Sequence, residues 1–81
     1  MDEIKEKIRH YITKELMRDA SYELGDEEGV ITGGLIDSFS LAELAVYFEG
    51  EFNVFIPDPD LTVDKMNTLN QIHARVLRDL E

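Results

Sequence analysis

The sequence predicts an all-α fold: a four-helix bundle of three main helices and one short one, with a long loop after the first helix. Three observations carry this. Apolar residues recur at helical spacing in three stretches. The one apolar run that looks like a strand, Val54-Phe55-Ile56, has no second alternating run to pair with. The chain has 81 residues and no cysteine, so a single domain spanning residues 1–81 must be held by its core, without disulfides or a thiolate metal site. A chain of this size buries only about 60% of the surface it exposes when unfolded, and helices packed through local contacts make the simplest small core.

Element by element, Ile4, Ile8, Ile12 and Leu16 stand at four-residue spacing with Tyr11 beside them, and Lys and Glu fill the positions between. This is an amphipathic helix with Asp2 as its expected N-cap, fading after Met17. From Asp19 to Asp37, Gly25, Gly29, Gly33 and Gly34 will not hold a helix, so a long loop is expected. Tyr22, Leu24, Val30, Ile31, Leu35 and Ile36 give that loop apolar anchors over the core. The second helix is expected to start at Ser38, with Ser38 as N-cap. Leu41, Leu44, Ala45, Phe48 and Phe52 make its core stripe. Phe39, Ala42 and Val46 make a second stripe edged by Glu43 and Glu49, which means either deeper burial or an exposed apolar strip with an acidic border. Val54-Phe55-Ile56 is expected to pack on the core as an apolar loop. Asp58-Pro59 opens a short helix, and Asn67 or Thr68 caps a last helix with stripe Leu69, Ile72, Val76 and Leu80.

The net charge is −10, and its distribution is uneven. Residues 1–18 carry five bases and four acids, residues 19–60 carry eleven acids and no base, and residues 61–81 carry three of each. Such a balance disfavours nucleic acid and anionic membranes and favours partners with basic docking patches. No run is long and apolar enough for a membrane span and no basic-then-apolar leader is present, so a cytoplasmic location is expected. Nothing requires an oligomer, and a monomer is expected.

The chain offers few parts for catalysis. His10 and His73 fall mid-helix, and the carboxylates look exposed, with nothing evident to shift them, so no catalytic residue is assigned. Asp58, Asp60 and Asp64 echo a calcium loop, but Val63 stands where that loop needs glycine and Leu69 where it needs glutamate, so no metal site is assigned either. The chemistry gathers at Gly34-Leu35-Ile36-Asp37-Ser38-Phe39. A serine at a helix start without a base to activate it is a poor nucleophile, yet a good acceptor for a phosphate-linked group placed there by another enzyme.

Asp37-Ser38-Phe39-Ser40-Leu41-Ala42-Glu43-Leu44, then Glu49, Glu51, Phe52 and Ile56-Pro57-Asp58, resembles the acyl carrier protein family. The likeness covers residues 30–76 well, and the first helix fits in position. It implies an acyl-carrier-like bundle in which Ser38 carries 4′-phosphopantetheine, with Asp37 as the motif's acid. A phosphopantetheinyl transferase would attach the arm from coenzyme A. Acyl-loading and acyl-processing enzymes would meet the carrier at Phe39, Ala42, Glu43, Val46 and Glu49. The arm's thiol would hold acyl intermediates of fatty-acid, polyketide or related biosynthesis as thioesters, which accounts for a carrier without cysteine. Leu44, Phe48, Phe52, Ile72 and Val76 would line the core.

Phe39 replaces the family's usual leucine, Leu35-Ile36 stand where housekeeping fatty-acid carriers have small residues, and Pro59 to Asn67 is about two residues longer than in them. These departures fit a specialised stand-alone member. Aminoacyl and peptidyl carriers, the D-alanyl type among them, share the motif, and so remain alternatives. Outside the family, a phospho-acceptor module or an unmodified helical interaction module, in which Ser38 only caps a helix, also fits the residues.

Overall fold

The apolar periodicity of the first segment continues to Leu16, but its backbone does not stay α-helical that far. In the computed structural model, which describes residues 3–80 and only the backbone of Ser38, α1 spans Glu3–Tyr11 and then widens into a π turn over Ile12–Leu16. Asp2, the expected cap, lies outside the described residues. The wider turn is closed by Met17 N–H donating to Ile12 O at 2.8 Å and Asp19 N–H to Thr13 O at 2.7 Å. Thr13 is buried there, with its hydroxyl 3.1 Å from Arg9 O and 3.3 Å from His10 O. Burial therefore leaves that hydroxyl bonded. Arg18 leaves the turn in the left-handed region, at φ 58°.

The other helices are α2 (Ser38–Phe52), α3 (Val63–Met66) and α4 (Leu69–Asp79), so three main helices and one short one make the bundle. The core joins Ile8 and Ile12 to Leu41, Leu44 and Phe48 of α2 and to Leu69, Ile72 and Val76 of α4. Phe52, expected in the core, is only partly buried against it, where it meets the ring of Tyr47 edge-on. No strand forms among the described residues; Gly29 and Thr68 make an isolated bridge.

The start of α2 differs from expectation. Asp37, not Ser38, caps α2: its carboxylate accepts from Ser40 N–H at 3.1 Å, and Ser38 is the first residue inside the helix. Carboxylate and hydroxyl caps compete for the same amides, and here the residue one position earlier already has the extended backbone a cap needs. At the other end α2 runs through Gly50 and stops at Asn53, at φ 58°. Asparagine tolerates that left-handed geometry, so it ends the helix four residues before Pro57.

The segment after α2 packs in part. Val54 and Ile56 are buried, but Phe55 is 66% exposed, because successive side chains of an extended segment point opposite ways. Asp58–Asp60 forms a 3₁₀ turn in which Asp58 is the first turn residue and Pro57, without a side chain able to cap, precedes it. Thr68 caps α4 in a reciprocal box, accepting from Gln71 N–H while the Gln71 side chain accepts from Thr68 N–H at 3.0 Å.

The long loop is held down, as its apolar residues predict. Leu24, Val30 and Ile36 are buried. Val30 N–H donates to Asn67 O at 2.7 Å, and Asn67 Oδ1 accepts from Ile31 N–H and Thr32 N–H at 3.0 and 3.1 Å. A Cβ on Gly29 would crowd the side chains of Thr32 and Asn67, so a larger residue there would have to displace this latch.

Candidate functional site

The start of α2 and its outward face are the candidate site. Leu41, Leu44 and Phe48 turn one side of the helix into the core, which forces the residues between them outward. Phe39 is 82% exposed and Val46 68% exposed, with Ala42, Glu43 and Glu49 also exposed. Of the two readings of the second stripe, the exposed apolar strip with an acidic border is therefore the one realised. Among the described residues, Glu43 and Glu49 have no ion-pair partner. On one flank a groove of about 230 Å³ runs between Ala42, Val46 and Glu49 on α2 and Phe55, Asp58 and Leu61 on the following segment.

At the helix start, Asp37 is exposed and occupied as a cap, with Oδ1 3.1 Å from both Ser40 N and Ser40 Oγ. The first turn of α2 carries no acid of its own. Gly34, at φ 78°, stands with no atom within 4 Å of where a Cβ would be. Asp37 holds one helix-start amide and the first turn adds no acid of its own, so a phosphate ester on a residue at this position would still meet helix-start amides. Ser38 is the hydroxyl residue there, and its place as first helical residue comes from the Asp37 cap.

The other acids are used differently, and the expectation that nothing shifts the carboxylates is corrected. Hydrogen bonds from Lys5 and then Arg9, with Lys5 Nζ at 3.0 Å, hold Asp26 below the usual carboxylate range. Lys65 at 3.0 Å and Arg75 at 2.9 Å do the same to Asp60, and the Tyr22 hydroxyl lowers Glu28. These shifts run downward, favouring the ionised form, the direction that donors holding a carboxylate in place produce and the opposite of the one a general acid needs. His10 is exposed on α1 and His73 half-buried on α4, both away from α2 in sequence. Among the described residues, no group of three or more His, Asp or Glu side chains is arranged to hold a metal ion. No helix among them is long and apolar enough to cross a membrane.

Sequence reasoning passed over Phe55 as a surface residue and Asn67 as the loop's latch. Asn67 could have been found from its place beside Thr68-Leu69-Asn70-Gln71, a capping-box pattern that fixes where α4 begins. Phe55 had no such signal, since an apolar triplet does not say which member faces out.

No protein-family model matches the chain. It is 33% identical over 75 residues to a D-alanyl carrier protein of Streptococcus suis (strain 98HAH33), covering 93% of this chain and 92% of that protein. A D-alanyl carrier protein of Leuconostoc citreum (strain KM20) is 30% identical over 73 residues, 90% of this chain and 91% of that protein. One from Bacillus velezensis (strain DSM 23117 / BGSC 10A6 / LMG 26770 / FZB42) is 33% identical over 70 residues, 86% and 88%.

Proposed function

Because the chain belongs to the acyl-carrier-like family of carrier proteins, we propose that it is an aminoacyl carrier. In this reading it holds D-alanine as a thioester on a 4′-phosphopantetheine arm at Ser38. The likeness to D-alanyl carriers across about nine-tenths of the chain carries the reading. It also reverses the order of cargoes expected from the motif, where fatty-acid and polyketide acyl groups came first and the D-alanyl type was an alternative.

The chain's own residues support this role by position. Ser38 opens α2 with the cap already supplied by Asp37, so its hydroxyl is not needed to hold the helix start. The arm, when attached, supplies the thiol that this cysteine-free sequence lacks. Asp37 fixes the turn that presents Ser38 to the phosphopantetheinyl transferase. Phe39, Ala42 and Val46 offer apolar contact, and Glu43 and Glu49 offer charge, to a transferase and to loading and processing enzymes with basic patches. Unpaired rim charges of this kind speed encounter and exchange more than they tighten binding, which suits a carrier that must leave each partner in turn. The chain is then a substrate of other enzymes and not itself an enzyme.

The test is to offer the arm-bearing protein D-alanine, ATP and a D-alanine-adenylating ligase, beside a fatty-acid loading enzyme with its acyl donor. A D-alanyl thioester that is lost on treatment with hydroxylamine, formed faster than any fatty-acyl thioester, is the expected result. Fatty-acyl loading without D-alanyl loading would overturn the cargo assignment.

A further inference from the structure

At one corner of the docking face a single base, Arg18, stands among acids, and three unusual features meet there. The helix before it is wound as a π turn, Ile12–Leu16, a form that is rare and often found at functional positions. Arg18 follows at φ 58°, a conformation that a glycine adopts freely and an arginine does not. Its side chain then lines a depression of about 410 Å³ with Tyr11, Glu15 and Leu16 on its own side and Glu43 and Val46 of α2 on the other. Two of these, Glu43 and Val46, belong to the docking face.

The surroundings of Arg18 are negative. The Tyr11 hydroxyl in the same depression is raised above its ordinary pKa by burial and then by Glu43 and Glu15. Among the described residues Arg18 nevertheless forms no ion pair with either acid. Five other bases are bound, Lys5 and Arg9 to Asp26, Lys7 to Glu51, and Lys65 and Arg75 to Asp60, while Lys14 and Arg78, like Arg18, take no ion-pair partner among the described residues. Of these three only Arg18 shares a depression with the docking face. Arg18 is thus a cation held beside the acidic strip without being consumed by it. A guanidinium presents a planar fork suited to a carboxylate.

We infer that Arg18 is a specificity-determining contact for the loading ligase. The ligase would place a carboxylate against Arg18, basic side chains against Glu43 and Glu49, and an apolar side chain in the depression beside Val46. A basic side chain set directly against Arg18 would meet a like charge, so the mixed pattern favours a partner with a carboxylate at that one point over partners that a uniformly acidic face would attract equally. This inference rests on the carrier reading above.

The experiment measures KM and kcat of the organism's own D-alanine-adenylating ligase for arm-bearing wild type, Arg18→Glu, Arg18→Lys and Arg18→Gly, with melting curves of each. Attachment of the arm, followed by intact mass, is scored first and separately. Arg18→Glu should raise KM roughly tenfold with kcat within twofold, and Arg18→Lys should stay within about threefold of wild type. Arg18→Gly should melt no lower than wild type, because glycine relieves the left-handed backbone, yet still raise KM about threefold. Normal arm attachment with an unchanged or lowered KM for Arg18→Glu would overturn the inference and leave the carrier reading standing. A wild-type chain that accepts no arm would overturn both.

Discussion

The loop of residues 19–36 and the outer face of α2 are both acidic, and they spend their charge in opposite ways. In the loop, Asp26 is bound by Lys5 and Arg9, Glu28 by the Tyr22 hydroxyl, and Glu27 by the Asn70 side chain. Arg9 also donates to Leu24 O, so α1 holds the loop at two adjacent points. On α2, Glu43 and Glu49 stand beside exposed Phe39, Ala42 and Val46 and take no internal partner among the described residues. The net charge by itself does not separate these uses. Acids that fold back onto donors of the same chain hold structure, and acids that border a bare apolar strip are, in the function proposed above, the ones left for another protein.

The largest expected effect falls on Ser38. Ser38→Ala should abolish loading completely while changing stability by no more than about 0.5 kcal/mol, because the cap is Asp37. Asp37→Ala should instead cost about 1 kcal/mol in denaturant unfolding, the ordinary loss of a cap. If Ser38→Ala proved the more destabilising of the two, the cap assignment would be wrong.

Next is charge reversal, where the two regions should part company. Glu43→Lys with Glu49→Lys should slow loading about tenfold at low salt, shrinking toward parity near 0.5 M salt, with the melting temperature held. Asp26→Asn should do the reverse, lowering the melting temperature while leaving the loading rate at 20 °C unchanged. Equal loading by the double variant at low salt would remove the α2 acids from the docking face.

A smaller loss is expected at the latch. Asn67→Ala removes the acceptor for Ile31 and Thr32 amides and should cost about 1–2 kcal/mol, with increased amide exchange confined first to residues 29–34. Uniform exchange across the whole chain would mean that the loop is not separately latched.

The smallest effect is the pH dependence. Asp26, Glu28 and Asp60 are lowered in the folded chain relative to their ordinary values. The unfolded chain therefore binds more protons in the acid range, and stability rises with pH there. The contribution is complete above the ordinary carboxylate range and is lost as pH falls through it toward the lower folded values. A melting temperature that drops from about pH 5 to pH 3, less steeply in Asp26→Asn, is expected. A flat profile over that range would contradict these ion pairs.

Much of this was legible before any coordinates. Helical spacing of Ile8, Ile12, Leu44, Phe48, Ile72 and Val76 gave the core, and the glycines of residues 25–34 gave the loop. The Phe39, Ala42, Val46 stripe could be seen, but whether it was buried depended on packing partners far away in sequence. The misplaced cap at Ser38 came from two adjacent residues that both favour the position; only the backbone, extended at Asp37, decides between them. The π turn after Tyr11 left no mark in the pattern, since one wider turn shifts a stripe too little to notice over five residues. Arg18 counted as one base among five in a balanced helix. Its place across from Glu43 and Val46 joins residues far apart in sequence, and so left no mark in the pattern.

The most direct test of the account is the intact mass of the purified protein after incubation with coenzyme A, magnesium and a broad-specificity phosphopantetheinyl transferase, beside Ser38→Ala. The account predicts a gain of one phosphopantetheine on the wild-type chain and none on the variant. An unmodified wild-type chain with its helices intact by circular dichroism, or a modified Ser38→Ala, would contradict it.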